Sequence, residues 1–166
     1  MQTIQVIDNN HFASRSVTSL PEIVELLDND TDKRRGVDPY FEAARAIKSI
    51  FDHLAWVDGA LDNTECAMLD TLLSANARLS DGYDRAVSSD PVLDGVVKIP
   101  FLLDLAHDYD ERNHTFLGHM AINSLEMIGY GIIGADGTVS LDEIVAFQRH
   151  LSSLREYLAH LPHSRI

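Results

Sequence analysis

Hydrophobic residues recur at three- and four-residue steps along most of the chain, the spacing that lines them up on one face of an α-helix. Over residues 39–57 the apolar positions of one long helix are Tyr40, Ala43, Ala44, Ile47, Ile50, Phe51, Leu54 and Val57. Further helix starts are predicted at polar residues that can cap an N-terminus, namely Ser19, Asp62, Asn113 and Ser140. We therefore expect an all-α, single-domain bundle of about six to eight helices.

Residues 79–100 interrupt this regular pattern. The segments SDGYD and SSDPVLDG bring Gly, Pro and Ser-Asp pairs, which are typical of loops and short helices. We expect an irregular insertion at 79–100, within a core that spans residues 39–158.

One short pattern occurs twice, 78 residues apart, as VDGALDNTE at 57–65 and ADGTVSLDE at 135–143. Each copy has Asp-Gly, an aliphatic residue, a polar helix starter and then Glu. Gly59 and Gly137 suit the positive φ with which a helix often ends. The pattern predicts two pseudo-symmetric helix–turn–helix corners.

The remaining corner positions have structural explanations, with the exception of the two leading aspartates. Asp62 and Ser140 each precede a Glu by three residues, which is the spacing of a capping box, as it is for Ser19 and Glu22. The side chains at the aliphatic positions, Leu61 and Val139, are expected to be buried at the corners.

Capping does not explain Asp58 and Asp136, because a carboxylate near a helix C-terminus faces the negative end of the dipole. A bound cation would remove that penalty. A standard EF-hand is excluded, since Leu54 and Ile132 would occupy the first ligand position of the loop.

Two such corners in a small acidic all-α chain resemble the TerB family of tellurite-resistance proteins and the related N-terminal region of the DjlA co-chaperone. The resemblance implies antiparallel helices with the corners related by a pseudo-twofold axis. It also implies a non-enzymatic, cytoplasmic binding module of a stress-response and metal-resistance system, whose protein partners belong to a membrane-associated complex.

The same resemblance implies a divalent-cation site at each acidic corner. Carried over by position, its ligands are Asp58, Asp62 and Glu65 in the first copy and Asp136 and Glu143 in the second. Oxygen ligands favour Ca²⁺ or Mg²⁺ over Zn²⁺. Ser140 replaces the carboxylate of Asp62, so the second site is expected to be the weaker one.

Charge narrows the classes of partner. The chain carries 13 Lys and Arg against 26 Asp and Glu, a formal net charge of −13, which disfavours nucleic acid and anionic lipid headgroups. Cations, basic protein partners or a second copy of the chain in a homodimer are compatible with it. No apolar run is long enough to insert in a membrane, and the first residues lack the pattern of a secretory signal, so a cytoplasmic location is expected.

The chain has eight histidines, and some of them suggest other chemistry. His107, Glu111 and His114 would share one face of a continuous helix. Because Asn113 is expected to cap the next helix and break that face, we predict that these side chains are solvated.

His107-Asp108 also allows an alternative function, a helical metal-dependent phosphohydrolase with a metal-bridging water. Such a site needs a second histidine, for which His53 is a candidate, and a further aspartate, for which Asp136 is one. No cluster of basic residues that would hold a phosphate accompanies the pair.

Two residues beside the first corner are conspicuous. Trp56 is expected to be either a core residue or the anchor of an interface. Cys66 is the only cysteine, so a disulfide within the chain is excluded, and we predict a small buried residue.

Overall fold

The computed structural model describes residues 19–59, 62–90, 98–135 and 137–163. Within these ranges the chain forms seven helices and no strand, which confirms the all-α prediction. The helices are α1 (Leu20–Asp28), α2 (Pro39–Asp58), α3 (Asn63–Ser74), α4 (Ala77–Ser89), α5 (Leu102–Asn113), α6 (Leu117–Ile133) and α7 (Leu141–His160). None of the described helices combines the length and the apolar character needed to cross a membrane.

Helix α2 is the centre of the bundle. Pro39 occupies its first turn, and the Asp38 carboxylate accepts a hydrogen bond from the Tyr40 amide at 3.0 Å, so the start of the helix is fixed locally. The helix contacts α1, α4, α5, α6 and α7. Twelve of its 20 residues are buried. By contrast, α3 buries only Glu65, Leu69 and Leu73.

The prediction of an irregular insertion at 79–100 is wrong over its first half. Residues 77–89 form the regular helix α4, whose first turn is capped by Asn76 through a 3.0 Å hydrogen bond from the Leu79 amide. Gly82 lies against α2, where an added Cβ would come within 3.1 Å of the Tyr40 carbonyl oxygen. This glycine therefore permits close helix packing instead of marking a turn, and residues 91–97 lie outside the described ranges.

Both Asp-Gly corners join two helices, as predicted. Helix α2 ends at Asp58 and is followed directly by the left-handed Gly59, with a φ of 85°. Helix α6 ends at Ile133, but its C-cap Gly134 has a φ of −90°, and the left-handed Gly137, with a φ of 82°, lies further along the turn, so it does not end the helix as predicted. Asp136 and Leu61 lie outside the described residues. The relation of the corners by a pseudo-twofold axis stays a prediction.

The two corners differ in how the second helix begins. Asp62 forms a complete capping box, but the Ser140 side chain makes no capping hydrogen bond, and neither does Ser19 at the start of α1. Val139 is 58% exposed, so the prediction that its side chain is buried is wrong. Ile132 and Ile133 are almost fully buried at the end of α6, so the second corner is anchored without it.

Candidate functional site

At the first corner, the capping box already uses part of the predicted cation site. Asp62 Oδ1 accepts a hydrogen bond from the Glu65 amide, and Glu65 Oε2 accepts one from the Asp62 amide, both at 2.8 Å. Asp58 and Asp62 are exposed, whereas Glu65 is buried. The three carboxylates do not offer oxygens within 4.8 Å of one another. The cation site at this corner stays a prediction.

Glu143 occupies the position of the second corner that matches Glu65 of the first. Each of the two glutamates is 4% exposed, although only Glu65 belongs to a complete capping box. Equal burial supports structural equivalence of the corners. Asp136 lies outside the described residues, so the second cation site also stays a prediction.

The aromatic residue of the first corner is at the surface. Trp56 lies in the last turn of α2 and is 55% exposed, which favours the interface anchor over the core residue. Cys66 is exposed as well, so the prediction of a buried cysteine is wrong. It lies in the first turns of α3, the helix that buries few side chains.

A buried histidine pair joins α2 to α7, and it was not predicted from the sequence. The His53 and His150 rings are 5.3 Å apart between centroids, and His53 Nε2 donates a hydrogen bond to the Ala146 carbonyl at 3.3 Å. Burial, together with the nearby His53, lowers the pKa of His150 to about 4. His150 follows the buried Phe147 by three residues, and this helical spacing was the available signal.

Among the residues that the structure describes, the members of the alternative phosphohydrolase site, His107, Asp108 and His53, do not converge. Asp108 Oδ2 accepts a hydrogen bond from Arg34 Nε at 2.8 Å, whereas His107 Nε2 lies 2.8 Å from the Pro162 carbonyl oxygen. Consecutive residues of a helix point about 100° apart, so the two side chains line different depressions of the surface. The candidate second histidine, His53, lies instead against His150 on α7.

Helix α5 continues further than the sequence suggested. Asn113 was predicted to cap the following helix, but it belongs to α5, and its side chain donates a hydrogen bond to the Tyr109 carbonyl at 3.0 Å. The cap of α6 comes from Asp110, which accepts hydrogen bonds from the Leu117 and Gly118 amides at 2.7 and 2.9 Å. The predicted break is therefore absent, and His107 and Glu111 share one face.

A third residue joins this face from the far end of the chain. His163, just after α7, donates a hydrogen bond from Nδ1 to Glu111 Oε1 at 2.8 Å, and its ring centroid lies 5.7 Å from that of His107. The three side chains each offer one ligand atom, and these atoms lie within 4.8 Å of one another. They line an open groove of about 420 Å³, together with His114 and His119.

The convergence of His107, Glu111 and His163 depends on tertiary packing, because 52 residues separate Glu111 from His163 along the chain. No other group of three metal-ligand side chains converges in this way among the residues that the structure describes. Comparisons with protein-family models, with curated proteins and with solved structures find no match for this chain.

Proposed function

We propose that this chain is a non-enzymatic binding module of the TerB-like kind that docks a protein partner through its first corner. The observation that carries the proposal is the exposure of Trp56, at 55%, in the last turn of the most buried helix. Large aromatic side chains held on a rigid element are the residues that most often dominate a protein interface.

The charge of the chain defines the chemistry of this partner. Asp58 and Asp62 are exposed on either side of the corner turn, close to Trp56 in sequence, and the chain as a whole carries a net charge of −13. An acidic field attracts basic surfaces and accelerates their association. We expect an apolar pocket bordered by Lys and Arg on the partner, which the TerB resemblance assigns to a membrane-associated complex of metal resistance and stress response.

The partner can be sought by crosslinking the chain in an extract and identifying the captured protein. Trp56→Ala should abolish capture, because it removes the anchor without disturbing the core. Met127→Ala is the matched control, since Met127 is also a large exposed apolar residue, at 73%, but lies on α6. Equal capture by wild type and Trp56→Ala would contradict the proposal.

The corners are also proposed to bind a hard divalent cation, with Asp58, Asp62 and Glu65 in the first copy and Asp136 and Glu143 in the second. The support is the exposed Asp58 at a helix C-terminus, where a carboxylate is unfavourable without a counter-charge. A ligand that binds only the folded chain raises its melting temperature by mass action.

We expect millimolar Ca²⁺ or Mg²⁺ to raise the melting temperature of wild type, and Asp58→Asn to remove most of this increase. The control is Asp70→Asn, an exposed aspartate on α3 that belongs to neither corner. A wild-type midpoint that does not change with either cation would rule out the corner sites.

The metal-dependent phosphohydrolase is the alternative function, and no contact of the described residues favours it. Asp108 is paired with Arg34 and does not face the groove that His107 lines. Hydrolysis of bis(p-nitrophenyl) phosphate by the chain with Mn²⁺ or Zn²⁺, lost in Asp108→Asn, would reverse this preference.

A further inference from the structure

We propose that His107, Glu111 and His163 form a binding site for a divalent transition-metal ion such as Zn²⁺. This site is separate from the acidic corners and does not depend on the proposed function. It joins helix α5 to the segment after α7, and its three ligand atoms already lie within 4.8 Å of one another. A single ion at ordinary metal–ligand distances of about 2.0–2.2 Å could therefore reach all three after small side-chain movements.

The environment of His107 suits a metal ligand. The residue is only 9% exposed, and its Nε2 lies 2.8 Å from the Pro162 carbonyl oxygen. Because a carbonyl can only accept, Nε2 must carry the proton, and in the neutral ring Nδ1 then carries a lone pair. Histidines that bind metals commonly have such a carbonyl partner, which fixes the tautomer and the orientation of the ring.

His163 and Glu111 provide the accessible side of the site. The His163 side chain is 78% exposed and that of Glu111 is 20% exposed, and the two are joined by the 2.8 Å hydrogen bond from Nδ1 to Oε1. In the neutral His163 ring, Nε2 is left with a lone pair, and the carboxylate of Glu111 has lone pairs on both oxygens. An ion arriving from the groove can thus reach a nitrogen and an oxygen without opening the core.

Of the other polar side chains in the groove, one already acts as a helix cap and two can act as further metal ligands. Asp110 accepts hydrogen bonds from two backbone amides of α6 and from the Thr115 hydroxyl, so it acts as a helix cap. His114 and His119 are exposed and line the same groove. Either of them, or a water molecule, could complete a four-coordinate site.

The donor set selects the class of metal. Two imidazoles and one carboxylate suit Zn²⁺ and its neighbours Co²⁺, Ni²⁺ and Cu²⁺, whereas Ca²⁺ and Mg²⁺ prefer oxygen ligands alone. The same set with an open fourth position occurs in many zinc sites. We infer an ion of this class and not the hard cation that the corners would take.

The test is calorimetric titration of the chelator-treated full chain with Zn²⁺. We expect one equivalent to bind to wild type, and both His163→Ala and Glu111→Gln to weaken binding by at least about tenfold. Both substitutions are on the accessible side of the site, so the variants should melt like wild type without metal. The matched control is His160→Ala, an exposed histidine three residues before His163 that does not line the groove, and its affinity should equal that of wild type.

Co²⁺ gives a second measurement, because four-coordinate Co²⁺ has intense visible absorption bands. These bands should appear in wild type and disappear in His163→Ala. The proposal is overturned if wild type binds no Zn²⁺, or if His163→Ala and Glu111→Gln both bind it as wild type does. It is also overturned if binding survives in His163→Ala but is lost when His114 and His119 are both replaced by alanine.

Discussion

His150 is an ionisable side chain in an interior that favours its neutral form. The residue is 1% exposed, its ring stacks near that of Phe147, and its pKa is lowered to about 4 by burial and by the neighbouring His53. The Nδ1 atoms of His53 and His150 are buried and have no hydrogen-bond partner within the described part of the chain. A proton added to His150 would therefore place an uncompensated charge in the core.

The folded chain should consequently lose stability in acid. An ordinary histidine has a pKa of about 6.5 when unfolded, so between about pH 4 and 6.5 the unfolded chain binds more protons than the folded one. Stability from this group is present at neutral pH and is lost as the pH falls through that range. From about pH 7 to about pH 5 the loss is about 2 kcal/mol.

Denaturant unfolding at both pH values measures this effect. His150→Leu should lose about 2 kcal/mol less than wild type on acidification, because the leucine binds no proton. The exposed His160→Leu serves as the control and should behave like wild type. An identical acid sensitivity of His150→Leu and wild type would show that His150 is not the cause.

At the level of helices, two glycines of α6 determine how closely its neighbours approach. Gly129 faces Phe147 of α7, and an added Cβ would lie 2.0 Å from the Phe147 ring, which is fully buried. Gly131 faces the end of Met68 on α3, where an added Cβ would lie 2.4 Å from Cε. Met68 is 36% exposed and flexible, so it can move aside, whereas the Phe147 ring cannot.

Gly129→Ala should therefore destabilise the fold by about 1–3 kcal/mol through overpacking. Gly131→Ala should be neutral or stabilising by up to about 1 kcal/mol, because alanine is the better helix former and the contact yields. Denaturant midpoints of the two variants give the comparison. Equal destabilisation by both would mean that the packing of α6 against α3 is as rigid as that against α7.

For the whole molecule, the regular features could be predicted from the sequence. Periodic apolar residues predicted the all-α bundle, and the glycines of both corners have the positive φ that the repeat implied. These features depend on neighbouring residues, so local patterns contain the necessary information. The close approach of α4 to α2 at Gly82 depends on a helix that is distant in sequence, whereas the segment SDGYD around this glycine is by itself typical of a turn.

The candidate sites were predicted less completely, for the same reason. The capping box of Asp62 and Glu65 is local and was predicted correctly. The capping of α6 by Asp110 was missed in favour of Asn113, because a side chain from the preceding helix replaces the expected local cap. His163 reaches Glu111 only through the packing of α7 against α5, which no spacing within one segment could reveal.

The first corner joins two helices that differ in how much of their surface is buried. Helix α2 lies at the centre of the bundle, whereas α3 has few buried side chains. Amide hydrogens of α2 should exchange with solvent only when the whole chain unfolds, whereas α3 buries three residues and can open locally at a lower free energy. The corner thus connects the most protected helix to one of the least protected. Any ligand that bridges Asp58 on α2 and Glu65 on α3 would slow amide exchange in α3, where local opening breaks the site, and also in α2, where exchange requires the whole chain to unfold, whereas local openings that leave the corner intact would be unaffected.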